Sequence, residues 1–120
     1  MLKLDPYITD VLLRDLVGHD RRPASFLVYI WFTAEQQKAE QQKAEQQKAE
    51  QQRHAHQRRV SAVTVSYQDL AESIGISKSS AQSAVGWLIR RKLLTVSKAS
   101  VTATPEYKAL TPWRNRTPRT

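Results

Sequence analysis

Residues 67–94 of the chain read YQDLAESIGISKSSAQSAVGWLIRRKLL, and this stretch decides how the fold is interpreted. Apolar residues recur at helical spacing at Leu70, Ala71 and Ile74. Gly75 follows them, and glycine commonly ends a helix. Ser77 then stands where a second helix needs a capping side chain. The pattern therefore predicts two helices, over 67–74 and 78–92, joined by a tight turn.

The second of these helices has one apolar and one polar face. Its apolar positions are Ala81, Ala84, Val85 and Leu88. Its polar positions include Lys78, Ser79, Gln82 and Ser83. Two short helices with this arrangement are typical of a helix-turn-helix, in which the second helix enters the major groove of DNA.

The composition favours a polyanionic partner. The 120 residues carry a formal net charge of +8, which is common among nucleic-acid-binding proteins and also among ribosomal and membrane-surface proteins. Cysteine is absent, which excludes disulfides and thiolate metal sites. Nothing resembles a signal peptide, and the longest apolar run, 26–32, is far shorter than the ~20 residues of a membrane span. We expect a cytoplasmic protein.

The N-terminal region predicts two helices. The first covers 5–18, with Asp5 as its cap and Gly18 as its stop, and its apolar stripe comprises Tyr7, Ile8, Val11, Leu12 and Leu16. A polar connection leads to Pro23, which can open the second helix. That helix begins SFLVYIWF and is apolar on nearly all sides, so it must be buried on more than one side.

Four near-identical pentads follow at 34–53: AEQQK three times and then AEQQR. Their residue types are good helix formers, so the second helix is expected to continue over 23–57 as a long rod. A period of five gives no heptad seam, which favours a solvated single helix, with a loose antiparallel pairing of two rods as the alternative. The copies favour deliberate engineering of a rigid helix, with tandem duplication as the alternative.

The rest of the chain predicts short strands around the helix-turn-helix. The strands are expected within 60–65, 93–97, 101–104 and 107–110, and Ser66 with Asp69 forms a capping-box-like start for helix 67–74. The predicted fold class is mainly α with a small β-hairpin. The expected domains are an N-terminal helical pair (1–33), an extended polar helix (34–57), a helix-turn-helix domain (58–113) and a basic tail (114–120).

A helix-turn-helix preceded by a small strand and followed by a hairpin resembles the winged-helix family, over about residues 60–113. The segments that carry the resemblance are LAESIGIS, SAVGWLIRRKLL and TPEYKALTPW, and bacterial MarR-like or replication-initiator-like modules look closest. The resemblance implies a transcriptional regulator or replication initiator that binds double-stranded DNA. The resemblance implies five base-reading positions on the second helix: Lys78, Ser79, Ser80, Gln82 and Ser83. It implies wing contacts at Lys98 and Ser100.

Phosphate contacts follow from the residue types. Ser66 and Ser77 stand at helix starts, where backbone N–H groups favour phosphate. Arg90 and Arg91 add positive charge at a helix end, although cations there also stabilise the helix dipole. Because serine dominates the polar face, a protein-interaction module or a designed scaffold without DNA function remains the alternative.

Catalysis and metal binding are not expected. His54 and His56 would point about 200° apart on a helix, and no Ser–His–Asp set or glycine-rich phosphate loop is recognisable. No enzyme activity, cofactor or metal is therefore predicted. Four aspartates, at five-residue spacing, are expected on the solvated surface: Asp5, Asp10, Asp15 and Asp20. The three tryptophans are expected to pack.

The rod also predicts an oligomeric state. Three inserted pentads lengthen a helix by about 22 Å and rotate its end by about 60°, which would separate the N-terminal helices from the helix-turn-helix domain. Both halves would then expose apolar surface. Exchange of the N-terminal helices between two chains would cover it, so we expect a homodimer.

Overall fold

The computed structural model describes residues 2–49, 62–98 and 103–115, with side chains described for 2–41, 62–98 and 103–113. The chain is mainly helical with a small antiparallel sheet, as the sequence predicts. The labelled elements are α1 (Pro23–Ala49), β1 (Val63–Thr64), α2 (Tyr67–Ile74), α3 (Lys78–Arg90), β2 (Leu94–Ser97) and β3 (Glu106–Ala109). A π-helical segment precedes α1, and a short 3-10 helix, Pro112–Asn115, follows β3.

The first helix differs from the prediction in its hydrogen-bonding pattern. It has π-type hydrogen bonding over Ile8–Leu12 and Arg14–His19, instead of the α-helix expected over 5–18. Its buried residues, Ile8, Leu12 and Leu16, are four positions apart. A helix with i→i+5 bonds has more residues per turn than the 3.6 of an α-helix, so this spacing keeps the three side chains on one side.

The connection to α1 also differs from the prediction. The helix continues past Gly18 to His19, and the left-handed backbone position is Arg21, with φ of 55°. The Arg22 N–H donates to the Leu16 carbonyl at 2.7 Å, and the Arg22 carbonyl accepts from the Ser25 N–H at 3.0 Å. These bonds fix the entry to α1.

Helix α1 buries most of its apolar run within the same chain, although Leu27 is 49% exposed. Val28, Tyr29 and Phe32 are fully buried and belong to one core shared by the N-terminal helix, α2, α3 and the sheet. The Ser25 hydroxyl donates to the Ala84 carbonyl of α3 at 3.5 Å, and the Tyr29 hydroxyl donates to the Leu110 carbonyl at 2.7 Å. The predicted separation of the N-terminal helices from the helix-turn-helix is therefore wrong, and it no longer supports an exchange between chains.

Helices α2 and α3 confirm the predicted pair. Helix α2 has the predicted bounds, and α3 ends at Arg90 instead of residue 92, just before Lys92 with its left-handed φ of 58°. The three strands form a sheet in the order β1-β3-β2, with Val63 opposite Tyr107 and Leu94 opposite Ala109. Burial and the Tyr67 hydroxyl raise the pKa of Tyr107, whose ring packs against Phe32 at 5.1 Å.

The first pentad belongs to the packed fold. The Gln36 side chain accepts from the Ala109 N–H at 2.9 Å and donates to its carbonyl at 3.5 Å, so its amide extends the pairing of β3. Gln37 pairs in the same way with the backbone of Lys3, accepting its N–H at 2.8 Å and donating to its carbonyl. The prediction of a purely solvated helix is therefore wrong for these two glutamines.

Several predictions fall outside the described residues. They concern the helix beyond Ala49 to residue 57, the strand residues 60–61 and 101–102, the turn at 99–100, the histidines 54 and 56, and residues 116–120 of the basic tail. Residues 103–104, predicted as the end of a strand, are not in a strand. None of the described helices combines the length and the apolar character that a bilayer crossing requires.

Candidate nucleic-acid interface

The turn between α2 and α3 fixes the start of α3. The Gly75 N–H donates to the Ala71 carbonyl at 2.8 Å, and the left-handed φ of 90° at Gly75 turns the chain out of α2. The Ile76 N–H donates to the same carbonyl at 3.0 Å, and its side chain packs against the core. Ser77 then caps α3, because its hydroxyl oxygen accepts the Ser80 N–H at 3.1 Å. The orientation of α3 is thus set by local bonds that the sequence predicts.

Helix α3 presents an exposed polar face. Its opposite face is buried through Ala81, Ala84, Val85 and Leu88, as predicted. The exposed predicted residues are Lys78, Ser79, Ser80, Gln82, Ser83 and Arg90. No acidic residue occurs in α3, so nothing on this helix repels phosphate. We call the exposed Ser79, Gln82 and Ser83 the α3 outer face.

The serines differ in how free their hydroxyls are. Ser77 donates to the Ser80 hydroxyl at 2.8 Å and lies 3.3 Å from the Ser79 hydroxyl, so the cap occupies this cluster. Within the described part of the chain, Lys78 and Gln82 make no side-chain hydrogen bond or ion pair. These two side chains are therefore the most available for an external partner.

Asp20 joins the N-terminal segment to α3. Its carboxylate accepts from the Trp87 indole N–H at 2.9 Å, lies 3.2 Å from the Arg91 Nε, and lies 3.0 Å from the His19 Nδ1. Its side chain is only 6% exposed, so the predicted solvated position is wrong. Burial raises the pKa of Asp20, but the hydrogen bonds from His19 and Trp87 and the charge of Arg91 outweigh it, and the pKa lies below its ordinary value.

Arg91 takes part in this structural contact. Besides Asp20, it faces Asp15 with Nη2 at 3.6 Å from the carboxylate. A phosphate contact by Arg91 would therefore compete with two carboxylates of its own chain. Arg90 has no such partner in the described ranges, which leaves it better suited to phosphate.

Arg22 is the residue near this face that the sequence does not predict. Its guanidinium carbon lies 4.2 Å from the centroid of the Trp87 ring, and its Nη1 donates a long hydrogen bond of 3.5 Å to the Ser83 hydroxyl. The face of Trp87 is therefore covered, as the expectation that the tryptophans pack requires. An Arg-Arg pair before Pro23 is visible in the sequence, but no spacing connects it to a residue 61 positions later.

The remaining predicted contacts lie around α2 and the hairpin. The hydroxyl of Ser66 accepts the Asp69 N–H at 3.1 Å, which confirms the predicted cap. Lys98 is exposed directly after β2, and Ser100 lies outside the described residues. The structure brings Arg22 to the α3 outer face, whereas it gives no contact between that face and Lys98.

Among the side chains described for 2–41, 62–98 and 103–113, no three His, Asp or Glu residues are grouped closely enough to hold a metal ion. Trp113 packs, as expected for the tryptophans. Its ring stacks on Tyr7 at 4.7 Å, and its N–H donates to the Asp5 carboxylate at 2.8 Å. Comparisons of the chain with protein-family models, with curated proteins and with solved structures returned no match.

Proposed function

We propose that the chain is a winged-helix protein that binds double-stranded DNA, with α3 as its recognition helix. The order β1, α2, α3, β2, β3 and the sheet order β1-β3-β2 agree with this assignment. In the proposed fold the hairpin of β2 and β3 is the wing. Regulation of transcription and initiation of replication are the two roles that such a DNA reader serves.

The α3 outer face is the observation that carries the proposal. It is exposed, free of acidic residues, and fixed by the Ser77 cap at one end and by the Asp20 contacts at the other. Gln82 can bond bidentately to adenine, and Lys78 can reach guanine or a phosphate. The serine hydroxyls can donate hydrogen bonds to bases or phosphates and can accept them from bases. An exposed polar helix in a chain with a formal net charge of +8 suits a major groove.

A DNA-binding measurement tests the proposal. Fluorescence anisotropy with labelled random-sequence duplexes gives the dissociation constant at several salt concentrations, and selection from a random pool gives a preferred site. We expect affinity that falls steeply with salt, and a loss of about 5- to 150-fold at the selected site on replacing Gln82 with alanine. Lys78→Ala should weaken binding to every sequence.

A matched control comes from the polar helix. Lys38 and Gln41 are exposed, and Lys38 lies about 20 Å along α1 from Ser25, which contacts α3. The double variant Lys38→Ala/Gln41→Ala should bind DNA as the unaltered chain does. No salt-dependent affinity for any duplex would refute the proposal and favour the alternative of protein interaction. Leu13 and Val17, 40% and 37% exposed on the first helix, are the apolar pair that such a partner would contact.

A homodimer is part of the proposal because paired recognition helices read half-sites one helical turn apart. Because Val28, Tyr29 and Phe32 of α1 are already buried within the chain, a dimer does not require an exchange of N-terminal helices. Light scattering of the chain bound to its selected duplex should give twice the chain mass of 13.7 kDa, beyond the mass of the DNA. One chain per duplex would refute the dimer and leave DNA binding intact.

A further inference from the structure

Arg22 has an unusual environment for a structural arginine. Its backbone is fixed by hydrogen bonds to Leu16 and Ser25, and its guanidinium lies over the Trp87 ring. The Trp87 ring is in turn held at its N–H by Asp20. The side chain is therefore held in place at both ends.

The charge of Arg22 is not neutralised by its surroundings. Among the described residues it forms no ion pair, since the nearby Asp20 carboxylate is engaged by Trp87, Arg91 and His19. Of the five N–H donors of a guanidinium, one is directed at the Ser83 hydroxyl. Stacking on a ring covers a guanidinium face but leaves the edge donors available. Such a group is suited to an anion that approaches alongside Ser83.

The position of Arg22 complements that of Lys78. Trp87 is nine positions after Lys78, which is about 2.5 turns of an α-helix, so the two side chains emerge on opposite sides of α3. The α3 outer face lies between them. A helix in the major groove has one phosphate strand on each side, about 12 Å apart across the groove. Arg22 and Lys78 thus supply one cation for each strand.

We infer that Arg22 is a backbone-phosphate contact of the DNA interface, held in position by Trp87. The inference rests on the proposed DNA-binding function and extends its surface beyond the helix-turn-helix to the N-terminal connection. A guanidinium held in advance loses little freedom on binding, so it contributes to affinity more than a mobile lysine would. It contributes to affinity for every sequence, because phosphates carry no base identity.

The salt dependence of binding tests the inference. Arg22→Met keeps an apolar chain over the indole but removes the charge, and Arg22→Lys keeps the charge. With random-sequence duplex, loss of one phosphate contact lowers the slope of log affinity against log salt by about 0.9. Between 50 and 200 mM salt, the unaltered chain should therefore lose about 3.5-fold more affinity than Arg22→Met does. Arg22→Lys should retain the slope.

Arg14→Met is the matched control, since Arg14 is exposed on the first helix and its loss changes the net charge equally. Circular dichroism shows whether each variant is folded, and Arg22→Gln replaces Arg22→Met if the latter unfolds. An unchanged slope in the uncharged variant overturns the Arg22 inference while DNA binding stands. A slope lost equally in Arg22→Lys also overturns it, because the role is then structural. Absence of any duplex binding by the unaltered chain overturns both proposals.

Discussion

Replacing Asp20 with alanine would remove the acceptor that joins the N-terminal segment to α3. The Trp87 N–H would lose a charged acceptor at 2.9 Å, and a hydrogen bond to a charged group contributes about 1.5–3 kcal/mol. The Arg91 ion pair adds at most about 1 kcal/mol, because the arginine side chain is 40% exposed and screened by water. We therefore expect Asp20→Ala to lower the free energy of unfolding by about 2–4 kcal/mol.

Urea unfolding followed by far-ultraviolet circular dichroism measures this loss by linear extrapolation. Asp15→Ala is the matched control, because Asp15 is 42% exposed and faces Arg91 at a longer distance of 3.6 Å. The control should cost less than about 1 kcal/mol. Asp20→Asn keeps an oxygen for the indole N–H and should fall between the two.

The reasoning fails if Asp20→Ala and Asp15→Ala destabilise the protein equally. A double-mutant cycle separately tests whether Trp87 is the partner through which Asp20 stabilises the fold. Trp87→Phe removes the indole N–H and keeps an aromatic ring under Arg22. If Asp20 acts through Trp87, the losses of Asp20→Ala and Trp87→Phe will not add, and the coupling should exceed about 0.5 kcal/mol. Additive losses would show that the 2.9 Å bond contributes nothing measurable.

Three further predictions concern pH and two glycines. The lowered pKa of Asp20 means that its ionised form stabilises the fold above the ordinary aspartate pKa, and this contribution is lost as the pH falls through the folded value. Asp20→Asn should therefore flatten the loss of stability as the pH falls below the ordinary aspartate pKa of about 3.9, measured by urea midpoints. Gly75→Ala should cost about 1–2 kcal/mol because its φ is 90°. Gly86→Ala should raise the free energy of unfolding by about 0.5–1 kcal/mol, measured by thermal unfolding. Gly86 is inside α3, and nothing lies within 4 Å of an added Cβ.

Helices α2 and α3 and the turn between them could be predicted from the sequence because their signals are local. The Ser66 and Ser77 caps bond three residues ahead, and Gly75 bonds four residues back. The buried positions of α3 follow from one helical period. Each of these features depends on residues within one or two turns, so neighbouring letters contain the information.

The residues that complete the candidate site depend on distant contacts. Asp20 meets Trp87 across 67 positions, and Arg22 meets Ser83 across 61. Taken alone, HDRR before a proline is an ordinary polar connection. Its partners become adjacent only after α1 has packed on α3, which is why the spacing suggested solvated aspartates and no interface arginine. The same reason explains Gln36, whose partner Ala109 lies 73 positions later.

The contacts of Gln36 also change what the pentads are expected to do. The Gln36 side chain hydrogen-bonds to the backbone of Ala109 in β3. Tyr107 is two residues, or about 7 Å, before Ala109, and Val63 of β1 lies opposite Tyr107. The chain therefore leaves the packed domain after the first pentad and returns to nearly the same place at β1. The pentads after Lys38 lie within the connection between these two points, so their number sets its length and does not set the distance between two halves of the core.

Deleting residues 39–53 tests this conclusion. The nine residues 54–62 that would remain between Lys38 and Val63 can reach about 30 Å, more than the gap requires. A flexible connection shortened from 24 to nine residues would gain about 0.9 kcal/mol of closure entropy. Because residues 39–49 belong to α1, the deletion should change the free energy of unfolding by less than about 1 kcal/mol. Because the core is complete without the deleted copies, light scattering should give the same number of chains per particle before and after deletion. A dimer that becomes a monomer on deletion would show instead that the repeats drive an exchange of helices, and that the core pairs α1 of one chain with α3 of another.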